Sequence, residues 1–122
     1  RKIYSLQSMG CCYRINTIKM IRKGFKMFVY PDKIEAYTKR HNPIWTELQE
    51  TLKQYGVSNY SIFLDKETNT LFGYAEVATE AQWEAIANTE VCKKWWNYMA
   101  DLMETNKDNS PVSHDLESVF YL

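Results

Sequence analysis

The strongest constraint on how this chain can fold is a β-hairpin predicted near its centre. Residues 59–65 and residues 70–77 each follow a two-residue period of apolar side chains, the pattern of a strand that buries one face. The polar residues 66–69 between them match a hairpin loop in length and composition. Two neighbouring antiparallel strands are therefore predicted here.

A strand and an interrupted helix are predicted before the hairpin. Residues 23–30 again follow a two-residue period, and Asp32 just beyond them can cap a following helix. Helical spacing then extends over residues 34–54, but Pro43 removes a backbone donor and restricts the residue before it. We therefore expect a helix that is bent or split near Pro43 and that stops at Gly56.

A second helical region and a last strand are predicted after the hairpin. Thr79 is a suitable cap for a helix that begins near Glu80, and helical spacing continues over residues 90–103. The chain ends in the apolar residues 119–122, which we predict to be the last strand. The order β-α-β-β-α-β is that of an α+β protein with a ferredoxin-like sheet and helices on one face.

The face of this sheet turned away from the helices is predicted to be aromatic. Aromatic surface of such extent is rarely left in contact with water. A homodimer in which two sheets pack face to face would bury it, with twofold symmetry as the expected arrangement. The residues concerned are Phe28, Tyr30, Phe63, Phe72 and Tyr74.

Charge and cysteine content argue against several classes of protein. The 15 basic and 15 acidic residues balance, but four of the basic ones lie before Met20, where there is no acid, so the rest carries a net charge of −4. Such a mildly acidic body gives no electrostatic reason to expect nucleic acid or a membrane as partner. The three cysteines include the adjacent pair Cys11 and Cys12 and do not form a disulfide framework, which indicates a reducing, cytoplasmic compartment. The sequence shows no spacing typical of metal ligands, so no metal site is predicted.

Residues 1–19 differ from the rest of the chain. They are basic, show no clear period and lack the apolar core of a secretory signal. We predict that Met20 is the natural first residue and that residues 1–19 are an extension foreign to the domain, with an arginine-rich targeting segment as the second interpretation. Residues 20–122 are then predicted to form one domain around a single core.

Five side chains indicate a binding pocket. Tyr37 and His41 are four residues apart on the predicted helix and so share one face, which Tyr60 on its strand can approach. A histidine exchanges protons in both directions near pH 7, because its ordinary pKa is about 6.5. Trp95 and Trp96 lie about 100° apart around a helix, so at least one must line a rim or cavity. An acid/base group beside flat aromatic surfaces suits a neutral, ring-shaped ligand rich in hydroxyl groups.

Each of these residues also has a plainer interpretation. A histidine beside a proline kink is more often structural, and a lone tryptophan or tyrosine more often fills a core or an interface. Lys39 and Arg40 belong by default to a solvated face. Periodicity alone therefore favours the plainer interpretation, and the functional one depends on the convergence of the whole set.

Four motifs carry a resemblance to a known family. They are Tyr-Thr-Lys-Arg-His-Asn-Pro-Ile-Trp at 37–45, Asn-Tyr-Ser-Ile at 59–62, Val-Cys-Lys-Lys-Trp-Trp-Asn-Tyr-Met at 91–99 and Asp-Asn-Ser-Pro-Val at 108–112. In this order they resemble the L-rhamnose mutarotase family. The similarity extends over residues 20–122, and it is specific because four separate motifs contribute to it.

The resemblance implies a homodimeric enzyme of the dimeric α/β-barrel type. Such an enzyme interconverts the α and β anomers of L-rhamnose without a cofactor. The resemblance also implies that His41 is the proton donor and that the sugar is bound by Tyr37, Tyr60, Trp95 and Trp96.

Several points stay open at the level of sequence. Small monooxygenases and haem-handling proteins share this broad architecture, and in such a protein His41 would be an axial ligand or an oxygen-site residue. A non-catalytic sugar-binding module is a third interpretation. Lys107 stands where family members commonly have a proline, which predicts a looser loop before residues 108–112. The choice between L-rhamnose and relatives such as L-fucose or L-mannose depends on pocket shape, which residue spacing does not give.

Overall fold

A four-stranded antiparallel sheet organises the part of the chain that the structure, a computed structural model, describes, residues 19–122. The strands stand in the spatial order β2-β3-β1-β4, which is the ferredoxin-like order. The predicted α+β class and ferredoxin-like topology are thus confirmed. The predicted extension at residues 1–19 lies, except for Lys19, outside the described residues. The strands are β1 (Ile21–Phe28), β2 (Val57–Asp65), β3 (Thr70–Val77) and β4 (His114–Leu116).

Four helices of residues 19–122 pack on one side of this sheet. Burial alternates along β1, where Phe25 and Met27 are buried beneath the helices, because successive side chains of a strand point to opposite faces. Short 3₁₀ turns precede the first helix and follow the third. The helices are α1 (Ile34–Arg40), α2 (Thr46–Gln54), α3 (Glu80–Ala85) and α4 (Glu90–Met99).

Side-chain caps fix the starts of α3 and α4 but not that of α1. The hydroxyl of Thr79 accepts a hydrogen bond from the backbone N–H of Gln82, as predicted, and Thr89 does the same for Cys92. The prediction that Asp32 caps the first helix is wrong. Asp32 lies within a 3₁₀ turn, so its carboxylate is not at the N-cap position of α1.

The helix predicted to break near Pro43 is indeed split. The first helix ends at Arg40 and the second begins at Thr46, with a cis peptide bond between Asn42 and Pro43. Gly56 follows the end of α2 with a φ of 81°, a conformation that glycine adopts without steric cost. The split leaves His41 just beyond the last residue of a short helix instead of inside a long one.

The last strand lies earlier in the chain than the apolar composition of its end predicted. The prediction that residues 119–122 form this strand is wrong, because the strand is His114–Leu116, which pairs with residues 24–26 of β1. Residues 114–116 occupy that edge of β1, and the four terminal side chains are 73% to 101% exposed. Apolar composition without a free strand edge does not make a strand.

The outer face of the sheet carries the predicted aromatic residues. Phe63 is 69% exposed, Tyr30 and Phe72 are about 40% exposed, and Phe28 and Tyr74 are half-buried. Across β2 and β3, Phe63 lies directly opposite Phe72. Within residues 19–122, no helix is both long and apolar enough to cross a membrane.

Candidate active site

A cavity of about 1060 Å³ lies between the helices and the sheet. This volume lies just above the upper end of the range of small-molecule sites, which are typically about 300 to 1,000 Å³ and mostly apolar with a few polar groups. The five residues predicted to form the site all line it, although they lie in or directly after three different elements, α1, β2 and α4. They are Tyr37, His41, Tyr60, Trp95 and Trp96.

The imidazole of His41 is fixed in one orientation. Its Nδ1 lies 2.9 Å from the backbone carbonyl oxygen of Tyr37, one helical turn earlier. The ring stacks on the Tyr37 ring with 4.4 Å between centroids and meets the Trp95 ring edge-on at 5.2 Å. Because a carbonyl oxygen only accepts, Nδ1 must carry the proton, and the lone pair of the neutral ring is on Nε2.

Burial sets the protonation state of this imidazole. Removal from water disfavours the charged ring and lowers the pKa of His41 below the ordinary 6.5, while the hydrogen bond to the Tyr37 carbonyl partly offsets this shift. The ring is therefore neutral at pH 7. Among the described residues, no hydrogen bond to Nε2 is present, so its lone pair is not engaged by another side chain of residues 19–122.

The two phenols of the cavity remain protonated. Tyr37 is only 7% exposed, and burial together with the nearby Tyr60 phenol raises its pKa far above the ordinary value of 10.0. Burial of the Tyr60 hydroxyl, with a smaller contribution from the Cys92 thiol, raises the pKa of Tyr60 to about 12. Both hydroxyls are therefore hydrogen-bond donors at neutral pH.

Both tryptophans line the cavity. Their angular separation on the helix had predicted this for at least one of them. Trp95 is buried and packs edge-on against Trp45, with 5.0 Å between ring centroids. Trp96 is half-buried and also contacts both parts of the hydrophobic core. The two indoles thus combine a core role with a surface that faces the cavity.

Two aromatic residues that sequence reasoning missed hold Tyr60 in place. The Phe25 ring meets the Tyr60 ring edge-on at 6.1 Å, and the Trp83 ring lies 6.3 Å from it. The alternation of β1 places Phe25 on the helix side of the sheet, but it carries no information on a partner two strands away. The contact depends on Gly73, which lies opposite Phe25 on the intervening strand β3.

The loop before β4 adds polar groups to the cavity wall. Asn109 donates a hydrogen bond from Nδ2 to Oδ1 of Asn97 on α4 at 2.9 Å, and the Asp108 carboxylate accepts from the backbone N–H and hydroxyl of Ser110. The backbone N–H of Asn106 also donates to the Ser110 carbonyl at 2.8 Å. This loop contains Lys107, and these bonds close it without the proline that the resemblance led us to expect there.

Metal ligands do not cluster in the part of the chain that the structure describes. No group of three or more histidine, cysteine, aspartate or glutamate side chains there has the geometry to hold a metal ion. Cys92, which also lines the cavity, is a free and buried thiol, and burial raises its pKa to about 11. It is therefore present as the neutral thiol at pH 7.

The fold and the cavity together define a ferredoxin-like α+β protein with an aromatic cavity that is lined by one neutral histidine. The sequence model described as L-rhamnose mutarotase matches residues 22–122. The chain therefore belongs to the L-rhamnose mutarotase family, and as a mutarotase it is an isomerase.

Similar proteins agree with this assignment. The L-rhamnose mutarotase of Pectobacterium carotovorum is 63% identical over 103 residues, which cover 84% of this chain and 99% of that protein. That of Lachnoclostridium phytofermentans is 55% identical over the same lengths. The crystal structure of the L-rhamnose mutarotase of Formosa agariphila has a TM-score of 0.77 at 50% identity and covers 84% of this chain and 98% of that one.

More distant structures share the fold alone. A putative antibiotic biosynthesis monooxygenase from Nitrosomonas europaea has a TM-score of 0.58 at 16% identity, with 83% of this chain and 91% of that one covered. At such identity the likeness carries no information on chemistry. The monooxygenase and haem interpretations of the sequence are therefore not favoured.

Proposed function

We propose that the protein interconverts the α and β anomers of L-rhamnose by cofactor-free acid/base catalysis, with His41 as the residue that moves the proton. The observation that supports this role is the fixed tautomer of His41, whose free Nε2 belongs to a neutral ring that lines the cavity. Positioned proton transfer of this kind typically accelerates a reaction by about 10²–10⁴-fold.

The proposed reaction opens and recloses the sugar ring. Nε2 of His41 accepts the proton of the anomeric hydroxyl while a second polar group or a water delivers a proton to the ring oxygen. The bond between C1 and the ring oxygen breaks, which leaves the open aldehyde. After rotation about the C1–C2 bond, the C5 hydroxyl adds to the other face of C1. The imidazolium then returns its proton to the aldehyde oxygen, and in this step His41 has the donor role that the resemblance implied. The second group takes the proton of the C5 hydroxyl.

The remaining side chains of the cavity are assigned to sugar binding. The faces of Trp95 and Trp96 accept the C–H side of a pyranose ring, and the protonated phenols of Tyr37 and Tyr60 donate hydrogen bonds to its oxygens. Apolar side chains such as Met99 also line the cavity and suit the methyl group of a 6-deoxy sugar.

Exchange between the two anomers at equilibrium tests this function directly. Saturation of one anomeric proton signal of L-rhamnose in an NMR experiment should reduce the signal of the other anomer when the protein is present. A rate equal to that in buffer would refute the enzyme. Binding of the sugar without faster exchange would instead indicate the non-catalytic sugar-binding module, and a Soret absorption band would indicate a haem protein.

The pH dependence of the reaction follows from the lowered pKa of His41. Nε2 accepts a proton only while the ring is neutral, so kcat/KM should fall as the pH drops through the pKa of the folded protein. We expect the midpoint of this acid limb to lie below the ordinary histidine value of 6.5. A series of saturation-transfer rates in buffers of decreasing pH measures it. A midpoint above 6.5 would contradict the environment assigned to His41.

We further propose that two copies associate through the outer face of the sheet. The exposed aromatic side chains of β2 and β3 support this, because contiguous apolar surface commonly marks an interface. Sedimentation analysis should therefore give twice the mass of the 14.5 kDa chain. Phe72→Glu, which introduces a charge at the centre of this face, should give a monomer. Glu50→Lys on the exposed side of α2 is the control and should leave the mass unchanged.

We also propose a cytoplasmic location and a single domain over residues 20–122. The free, buried thiol of Cys92 supports the first, since thiols persist in reducing compartments. The family match over residues 22–122 supports the second. Removal of residues 1–19 should then leave the exchange rate unaffected.

A further inference from the structure

The sequence alone assigned Arg40 by default to a solvated face, but in the structure most of its side chain is covered. Its side chain is 22% exposed and reaches across to the end of α4. The guanidinium donates to Oδ1 of Asp101 at 3.0 Å, more distantly to Oδ2, and to the backbone carbonyl of Tyr98. It also lies over the Tyr98 ring, 4.3 Å from the ring centroid. One side chain thus makes four contacts with the end of α4 and the turn that follows it, through Tyr98 and Asp101.

These contacts hold the C-terminal end of a short helix, whose core contacts come from Ile34, Ala36 and Tyr37 further towards its start. The α1 helix has seven residues, of which only Tyr37 is fully buried, and a non-helical connection separates it from α2. Short helices are not stable alone and depend on tertiary contacts. Arg40 is the last residue of α1 and His41 follows it directly, so an anchor at Arg40 is also an anchor for the backbone of His41.

A second route of contacts links the same turn of α4 to the imidazole itself. The Tyr98 ring lies 5.8 Å from that of Trp95, and both pack against Trp45. The Trp95 ring in turn meets the His41 ring edge-on. The imidazole and the guanidinium are therefore held by neighbouring parts of one aromatic cluster.

We propose that Arg40 is a positioning residue of the isomerase, which fixes the end of α1 against α4 and thereby aligns His41 with the sugar. The inference rests on the proposed role of His41. Arginine suits the task better than lysine, because its planar fork binds a carboxylate with two donors and stacks on an aromatic ring at the same time. A partly exposed ion pair contributes little to stability, so its loss should affect alignment more than folding.

Kinetics of matched variants test the proposal. Arg40→Met keeps an unbranched stem but removes every charged contact, and Arg40→Lys keeps the charge without the fork. We expect kcat for anomer exchange to fall about tenfold or more in Arg40→Met and to be intermediate in Arg40→Lys, since misplacement by about 1 Å can cost 10²-fold. KM should change less than threefold. Lys39→Met, an exposed neighbour on the same helix, should match the wild type.

A pH profile separates positioning from a general loss of structure. If Arg40 holds the imidazole in its buried place, the acid limb of kcat/KM should move upward in Arg40→Met, towards the ordinary histidine value. Wild-type kcat and an unmoved acid limb in Arg40→Met would overturn the proposal, and so would a rise in KM at constant kcat.

A second variant covers the case in which Arg40→Met does not fold. Asp101→Asn removes one exposed carboxylate from the same contact. A fall in kcat of threefold or more with the same upward movement of the acid limb supports the proposal, and unchanged kinetics contradict it. The wild-type rate distinguishes a failure of the proposed function from a failure of the role proposed for Arg40. A wild type without exchange activity refutes the proposed function, whereas an active wild type matched by its Arg40 variants refutes only the role of Arg40.

Discussion

Replacement of His41 by glutamine is expected to lower the rate of L-rhamnose anomer exchange by about 10²–10⁴-fold, the usual contribution of positioned acid/base catalysis. Glutamine can still donate a hydrogen bond from its amide to the Tyr37 carbonyl, so the local contact can be retained. It cannot accept and return a proton near pH 7. Saturation transfer between the anomeric protons measures the loss, and binding of the sugar should persist because the aromatic walls are unchanged.

The chain offers a matched control in its only other histidine. His114 lies on β4, is exposed, and contacts Phe28 on the outer side of the sheet at 5.8 Å between ring centroids. It is therefore remote from the helix-side cavity. His114→Gln should retain the wild-type rate within about twofold. Equal losses in the two variants, or a His41→Gln protein that keeps more than half of the activity, would remove His41 from the mechanism.

Local sequence signals predicted the elements of this fold where the signal and its structural cause lie close together. The period of β3, the cap at Thr79 and the break at Pro43 depend on a few neighbouring residues, and all three are present. Asp32 and residues 119–122 carried equally local signals that failed. A cap needs a helix that starts at the right residue, and a strand needs a free edge, and both conditions are set by the rest of the molecule.

In the candidate site, too, sequence spacing predicted the contacts between residues that are close along the chain and did not predict the distant ones. Tyr37 and His41 were brought together by helical spacing, but the family resemblance was needed to join them with the tryptophans. The partners of Arg40 are 58 and 61 residues away along the chain, and no period relates positions so distant. The contact of Phe25 with Tyr60 was beyond prediction for a similar reason. It depends on the absence of one side chain on the strand between them.

Gly73→Ala is expected to lower both stability and sugar affinity. A Cβ at position 73 would lie 2.4 Å from Cε2 and Cζ of the Phe25 ring, closer than nonbonded atoms approach, so the ring must move. Overpacking of this kind typically costs about 1–3 kcal/mol of unfolding free energy. Phe25 also contacts Tyr60 and Trp83, so its displacement should spread to the phenol assigned to the sugar. Urea denaturation and a titration with L-rhamnose measure the two effects.

Gly24→Ala provides the comparison that isolates this cause. Gly24 lies on β1, immediately before Phe25, and a Cβ there would be 3.7 Å from Cβ of Leu116, an ordinary contact. Alanine is preferred to glycine inside a strand by about 0.5–1 kcal/mol, so this variant should be as stable as the wild type or slightly more stable. A similar gain must also be present in Gly73→Ala, where the collision with Phe25 outweighs it. If both variants are equally stable and bind the sugar equally well, the Phe25 ring does not need the space above Gly73, and the cavity wall at Tyr60 is held by other contacts.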